Sequence, residues 1–226
     1  KCYENADEGR PFREEDRLGG HDPYAASKAS CEILCASYRE ALLAPEGRVA
    51  LATARAGNVI GGGDWSEDRI IPDAVRALAS GRPLVMRRSS SVRPWQHVLD
   101  PVSGYLSLGA CLLSQPARFA SAWNFGPDDE SCVTVEALVE KFSRAWGAGL
   151  TVETPPQDGQ PHEAKVLRLD WSKAARELSW GPGWGLEETV RMTAEWYRGH
   201  AADPAGTPRL MARQIAAYED SVGTAR

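Results

Sequence analysis

The chain has 226 residues, is 42% hydrophobic and 25% charged, and carries a formal net charge of −5. That length builds one large or two small domains around a substantial core, and the composition is ordinary for a globular protein. The acidic balance argues against a general nucleic-acid binder, no apolar run reaches membrane-spanning length, and no signal peptide opens the chain.

Residues 1–23 are polar, rich in Glu, Arg and Gly, and read as a loop. Asp22-Pro23-Tyr24-Ala25-Ala26-Ser27-Lys28 then opens a predicted helix over 24–43. Pro23 suits its first turn, because the ring pre-sets φ and the missing N–H would be unpaired there. Tyr24 and Lys28 stand four apart, on one face. A phenol is a poor base at neutral pH, and a fixed ammonium beside it favours the phenolate. Tyr-x-x-x-Lys is therefore a plausible device for removing a proton. The spacing alone equally fits a surface helix with an aromatic and a lysine on one edge.

Pro45-Glu46-Gly47 marks a turn, and 49–56 reads as a buried strand. Gly61-Gly62-Gly63 follows; at a strand end such glycines let backbone approach a ligand closely, or simply form a flexible loop. A helix is predicted over 70–80, ended by Gly81 and Pro83, then a short strand over 84–87. Asp100 is a candidate cap for a helix over 101–113. Residues 122–125 read as a strand, and Thr134 caps a helix running to Trp146 before Gly147. Strands over 150–154 and 165–169, helices over 172–179 and 186–200, and an amphipathic segment over 210–218 complete the chain. Alternation of strands and helices through residue 126 predicts a parallel sheet. The five cysteines, Cys2, Cys31, Cys35, Cys111 and Cys132, are odd in number and lack metal-ligand spacing, so a reducing cytoplasm and no metal site are expected. No Gly-x-Gly-x-x-Gly opens a βα turn.

Several blocks together resemble the extended short-chain dehydrogenase/reductase family, and within it the nucleotide-sugar 4,6-dehydratases. They are Lys1-Cys2-Tyr3-Glu4-Asn5, Leu18 to Lys28, Ala54 to Trp65, Arg69-Ile70-Ile71-Pro72-Asp73, Arg93 to Pro101, Trp123 to Pro127, and Pro161-His162-Glu163-Ala164. The Gly-Gly-Gly-Asp-Trp and Arg-Pro-Trp-Gln-His blocks are more specific than Tyr-x-x-x-Lys, which the whole superfamily shares.

The resemblance implies a partial Rossmann-like, doubly wound parallel sheet with a smaller α/β substrate-binding lobe. Residues 1–58 would be the second half of a dinucleotide-binding domain and 59–99 a substrate-binding segment. Residues 100–130 would return to the first domain, and 131–226 would form the substrate lobe and tail. It implies NAD as cofactor and CDP-glucose as nucleotide-sugar substrate. Tyr24 would take the C4 hydroxyl proton while the hydride leaves C4. The resulting ketone acidifies the C5 proton, water is lost from C6, and the hydride returns there. Lys28 would bond the nicotinamide ribose, and Lys1 belongs to the elimination machinery. Asn58 would reach the sugar-diphosphate side, with Arg93 and, less closely matched, Arg69 and Arg87 on the diphosphate. The alternative for these arginines is solvated surface charge. His162 and Glu163 would approach the nucleotide ribose, Trp95 would flank the ligand, and His97 would be structural.

Two departures stand out: the acid/base neighbour that the family places before the position of Lys1, and the glycine-rich cofactor loop. The chain therefore reads as the carboxy-terminal part of an enzyme, expected to bind NAD poorly and turn over little alone, and to aggregate along the edge of a half sheet. The helices from Tyr24 and from Pro101 match those that build a homodimer. Other readings of the residues are an epimerase of the same family and a non-catalytic nucleotide-sugar-binding module.

Overall fold

The computed structural model describes residues 1–43, 49–155 and 164–223. In chain order the elements are α1 (Pro23–Tyr38), β1 (Thr53–Ala56), β2 (Asn58–Ile60), α2 (Ile70–Ser80), β3 (Leu84–Val85), β4 (Val92–His97), α3 (Leu99–Ser114), α4 (Pro116–Phe119), β5 (Ala122–Phe125) and β6 (Cys132–Thr134). They continue with α5 (Val135–Trp146), β7 (Val152–Glu153), α6 (Ser172–Leu178), α7 (Leu186–Ala202) and α8 (Thr207–Gly223).

The fold is α/β. Pairing is parallel between β1 and β5, β2 and β4, and β3 and β7, as the alternation predicts. β6 departs from it and joins β4 antiparallel. β1 and β2 are one extended run interrupted at Gly57, where the chain leaves the β5 sheet for the β4 sheet. A Cβ at Gly57 would lie 2.7 Å from Cγ of Pro94 and 2.8 Å from its carbonyl oxygen, so only glycine fits the crossing.

The helix ends follow local chemistry. Asp22 accepts the Ala25 N–H at 2.8 Å, and Pro23 occupies the first turn of α1. Thr134 Oγ1 accepts the Ala137 N–H at 3.1 Å, and Gly147 closes α5 at φ +84°. The main core packs α2, α5 and α7 against β2 and β4 through Ile71, Trp95, Leu138, Phe142, Val190 and Tyr197. A second core sets α3 and α6 on β5 through Leu108, Trp123, Phe125 and Trp180.

Several expectations are corrected. Residues 1–23 are more than a loop before α1: Tyr3 bridges Leu18, Phe12 bridges Leu169, and Cys2, Tyr3, Phe12 and Leu169 form a small core. The strand expected over 165–169 is reduced to isolated bridges, because side chains of the first segment take its backbone groups. Asp7 accepts the Lys165 N–H at 2.7 Å, and Asn5 donates to the Val166 carbonyl at 2.7 Å. Asp100 does not cap its helix. α3 starts two residues earlier, after Val98 and without a side-chain cap, and Asp100 is fully buried in the first turn. The turn expected at Pro45-Glu46-Gly47 lies outside the described residues.

Candidate active site

The first turn of α1 gathers three of the expected residues. Lys28 Nζ lies 5.4 Å from the centroid of the Tyr24 ring, as the i, i+4 spacing requires. Lys1 Nζ lies 3.6 Å from Oδ2 of Asp22, the residue that caps this helix. The Ala25 N–H, helped by Lys1, holds the Asp22 carboxyl below the usual carboxylate range. Tyr24 is 57% exposed and Lys28 is exposed as well, so a phenol and two amines face outward at one helix end.

The second group lies where the chain crosses between sheets. Asn58 is the first residue of β2, half-buried, with Trp95 as its register partner. Arg93 stands two residues before Trp95 on β4 and is 7% exposed. Its Nη1 donates to the Val92 carbonyl at 2.8 Å and the Lys165 carbonyl at 3.3 Å. In open α/β sheets ligands bind outside the carboxyl ends of strands where the topology switches, and Asn58 follows such a point directly. Arg69 is exposed and precedes α2. Arg87 pairs with Asp68 at 3.2 Å on the surface. His162 and Glu163 lie outside the described residues.

Two expectations change here. Trp95 does not flank an open site; it is buried in the main core, with Nε1 donating to the Val133 carbonyl at 3.1 Å. Gly62 is small because of packing, since a Cβ there would meet the Trp196 ring at 2.0 Å. His97 is buried, as a structural histidine should be, and its Nδ1 accepts the Leu99 N–H at 3.3 Å. Burial, partly opposed by Glu188, pushes its pKa down to about 4, and Nε2 has no hydrogen-bond partner among the described residues.

Residue-by-residue reading overlooked a buried polar network beneath α1. Arg55 on β1 donates from Nη2 to Glu32 Oε2 at 2.8 Å and from Nη1 to the Tyr3 hydroxyl at 2.7 Å. Tyr3 in turn donates to Asn124 Oδ1 on β5 at 2.6 Å. Burial pulls Arg55 toward neutrality, but the bonds to Glu32 and Tyr3 outweigh it and hold the guanidinium charged. An arginine inside an apolar strand run was the available signal, because a buried charge requires partners.

The Tyr24–Lys28 pair fits the nicotinamide-ribose end of a dinucleotide: an outward phenol and an ammonium one turn apart. No strand–glycine turn–helix that would cradle a pyrophosphate occurs among the described residues. Nor do three or more His, Cys, Asp or Glu side chains cluster there as metal ligands. No described helix is long and apolar enough to cross a membrane.

A family model described as GDP-mannose 4,6 dehydratase matches residues 2–193. The chain is 42% identical over 202 residues to a CDP-glucose 4,6-dehydratase of Salmonella typhimurium, covering 88% of this chain and 56% of that protein. It is 30% identical over 190 residues to a dTDP-glucose 4,6-dehydratase of Streptomyces antibioticus, covering 84% and 52%. Among solved structures, a UDP-glucuronic acid 4-epimerase from Bacillus cereus superposes at TM-score 0.73 with 17% identity, over 88% of this chain and 59% of that one. A dTDP-glucose 4,6-dehydratase from Bacillus anthracis superposes at 0.70 with 22% identity, over 87% and 58%. These likenesses establish the fold. The chain spans about half the length of the curated relatives it matches.

Proposed function

Since the chain belongs to the GDP-mannose 4,6 dehydratase family, we propose that the protein it forms is a nucleotide-sugar 4,6-dehydratase that uses NAD and acts on CDP-glucose. The observation that supports this reading is the exposed Tyr24–Lys28 pair on α1, whose capping residue Asp22 is contacted by Lys1. The 42% identity to a CDP-glucose 4,6-dehydratase supports the choice of nucleotide.

Tyr24 takes the proton from the sugar C4 hydroxyl. Lys28 stabilises the phenolate electrostatically and holds the nicotinamide ribose. Bound NAD supplies the acceptor that makes the C4 oxidation possible. The ketone at C4 acidifies the C5 proton, so oxidation must precede elimination of the C6 hydroxyl. Lys1, fixed by Asp22, stands on the elimination side. Arg93 and Arg69 hold the diphosphate, for which a guanidinium fork suits the oxygen geometry. Asn58 faces the sugar-diphosphate link. The exposed faces of α1 and α3 pair with those of a second copy.

The test is product analysis. CDP-glucose is incubated with NAD and with this chain extended at its amino end, and the product is weighed by mass spectrometry. Loss of one water with a ketone at C4 is expected. A product that keeps its C6 hydroxyl means epimerisation, and calorimetric binding without any product means a binding module; either result overturns the proposal.

A further inference from the structure

We propose that Arg55 is the positioning residue of this site: its guanidinium, forked between Tyr3 and Glu32, sets the helix that carries Tyr24 and Lys28 against the segment that carries Lys1. This inference rests on the dehydratase reading above.

Arg55 is almost fully buried, which for an arginine demands partners; they reach its two Nη atoms, while Nε has none among the described residues. Its two arms point to different parts of the chain. Nη2 reaches Glu32, one helical turn beyond Lys28 and two beyond Tyr24 on α1. Nη1 reaches the Tyr3 hydroxyl at 2.7 Å and the Glu14 carbonyl at 3.1 Å, both in the segment before α1, and Tyr3 follows Lys1 by two residues. The guanidinium carbon also lies 5.0 Å from the centroid of the Tyr3 ring.

Each partner is held a second time. Glu32 accepts the Thr53 hydroxyl at 2.7 Å, and Thr53 stands two residues before Arg55, on the same face of β1. Tyr3 is tied to Asn124 on β5, whose Nδ2 donates to the Phe12 carbonyl at 2.9 Å. The strand pair β1–β5 is thus a fixed base, and Arg55 is a buried side chain that touches both the helix and the amino-terminal segment, beside the exposed Lys1–Asp22 pair. α1 buries only Ala25 and Ala29, so apolar packing alone holds it weakly.

The two halves of the proposed reaction use groups from these two parts. C4 oxidation uses Tyr24 and Lys28, which travel together on one helix. Elimination also needs the side of the site where Lys1 stands. A displacement of about 1 Å between reacting groups can cost on the order of a hundredfold in rate. Loosening the fork therefore slows elimination more than oxidation. Lysine cannot replace Arg55, because an ammonium lacks the planar fork that reaches two partners in fixed directions.

The experiment compares Arg55→Lys and Glu32→Gln with the parent, as the NAD-loaded protein extended at its amino end. Ketone formation at C4 and entry of solvent deuterium at C5 are followed by rapid quench and mass spectrometry, and amide hydrogen exchange is mapped separately. In Arg55→Lys, deuterium entry at C5 should fall about tenfold or more beyond any fall in ketone formation. Amides of residues 1–18 and α1 should exchange faster, while those of β1 and β5 keep their rates. Glu32→Gln, which still accepts from Arg55, should keep the parent's ratio of the two steps. Equal loss of both steps in Arg55→Lys, or unchanged exchange in residues 1–18 and α1, overturns the proposal. If Arg55→Lys does not fold, Arg55→Met/Glu32→Met removes both charges together and carries the same readouts. A parent that forms no ketone overturns the dehydratase reading itself, and the exchange map then still decides whether Arg55 joins the two segments.

Discussion

Tyr218 on α8 donates its hydroxyl to Asp100 Oδ1 in the first turn of α3 at 2.9 Å, a contact that spans 118 positions of the sequence. The same oxygen accepts the Gly183 N–H at 2.7 Å, and Ser103 Oγ lies 3.0 Å from the Tyr218 hydroxyl. A residue that was expected to cap a helix instead anchors the last helix of the chain. The bond is charge-assisted and buried, and such bonds contribute roughly 1.5–3 kcal/mol. Tyr218→Phe should cost that much in denaturant unfolding while leaving the far-UV spectrum intact. A cost under about 0.5 kcal/mol, the level of an ordinary surface change, would mean that α8 is held by apolar contacts alone.

The combined contribution of His97 and Asp100 to stability should be nearly flat between about pH 4 and pH 6, because the two groups oppose each other. Burial holds His97 down at about 4, against an ordinary value of 6.5. Over that interval the unfolded chain binds the His97 proton and the native state does not, so this group's stability is lost as pH falls. Burial also lifts Asp100 from 3.8 to about 6, against the bonds from Gly183 and Tyr218. Here the native state binds the proton first, so this contribution is present at low pH and is lost as pH rises through about 6. Each shift corresponds to on the order of 3 kcal/mol. His97→Gln should become more stable on acidification from pH 6.5 to 4, and Asp100→Asn should become less stable. Parallel pH curves for both variants and the parent would contradict this.

The helices were legible because their ends carry strong local chemistry. α2 stops at Gly81 in the left-handed region, and α5 runs from the Thr134 cap to Gly147. β4 was hidden because Pro94 and the polar Arg93, Gln96 and His97 break the apolar pattern of a strand. In the site, the Tyr24–Lys28 relation follows from helical spacing. Asn58 and Arg93 are proposed through resemblance, since no local pattern marks a residue at a crossing between sheets. Arg55, Glu32, Tyr3 and Asn124 come together through bonds that span 23, 52 and 121 positions, distances over which periodicity carries no information.

Gly62→Ala should destabilise the protein through α7. A Cβ at position 62 would lie 2.0 Å from the Trp196 ring, which is buried and stacked on His200 at 5.0 Å. The next residue along α7, Tyr197, bonds the Asp64 carbonyl at 2.5 Å, so the loop and the helix cannot separate freely. Overpacking of this kind costs about 1–3 kcal/mol. Gly62→Ala/Trp196→Phe should recover part of the loss in thermal unfolding. No recovery would place the strain in the backbone of the loop.

Leu106→Glu should weaken self-association. Leu106 and Leu113 on α3 are 72% and 89% exposed, and Ile33 and Leu34 on α1 are exposed as well. Exposed apolar side chains in this number mark an interaction surface. A charge at the centre of a paired helix face costs at least about 2 kcal/mol in association. Sedimentation of the amino-extended protein should show dimers for the parent and monomers for the variant at micromolar concentration. A parent that sediments as a monomer would refute the pairing.

Tyr24→Phe removes the proposed base and keeps the ring, so its effect reads the chemistry of the hydroxyl alone. General base catalysis contributes about 10²–10⁴-fold, and kcat should fall by that factor with KM for CDP-glucose little changed. Lys28→Met should act differently. The ammonium is proposed to hold the nicotinamide ribose, so without it NAD should bind more weakly in calorimetry while the chemistry of the Tyr24 hydroxyl is kept. The ammonium lies 5.4 Å from the centroid of the Tyr24 ring, so the two groups present one exposed face of α1 to the cofactor. If Tyr24→Phe keeps its rate within about threefold, less than the smallest contribution expected of a base, the proton is taken by another group. If Lys28→Met binds NAD as tightly as the parent, the lysine does not hold the ribose.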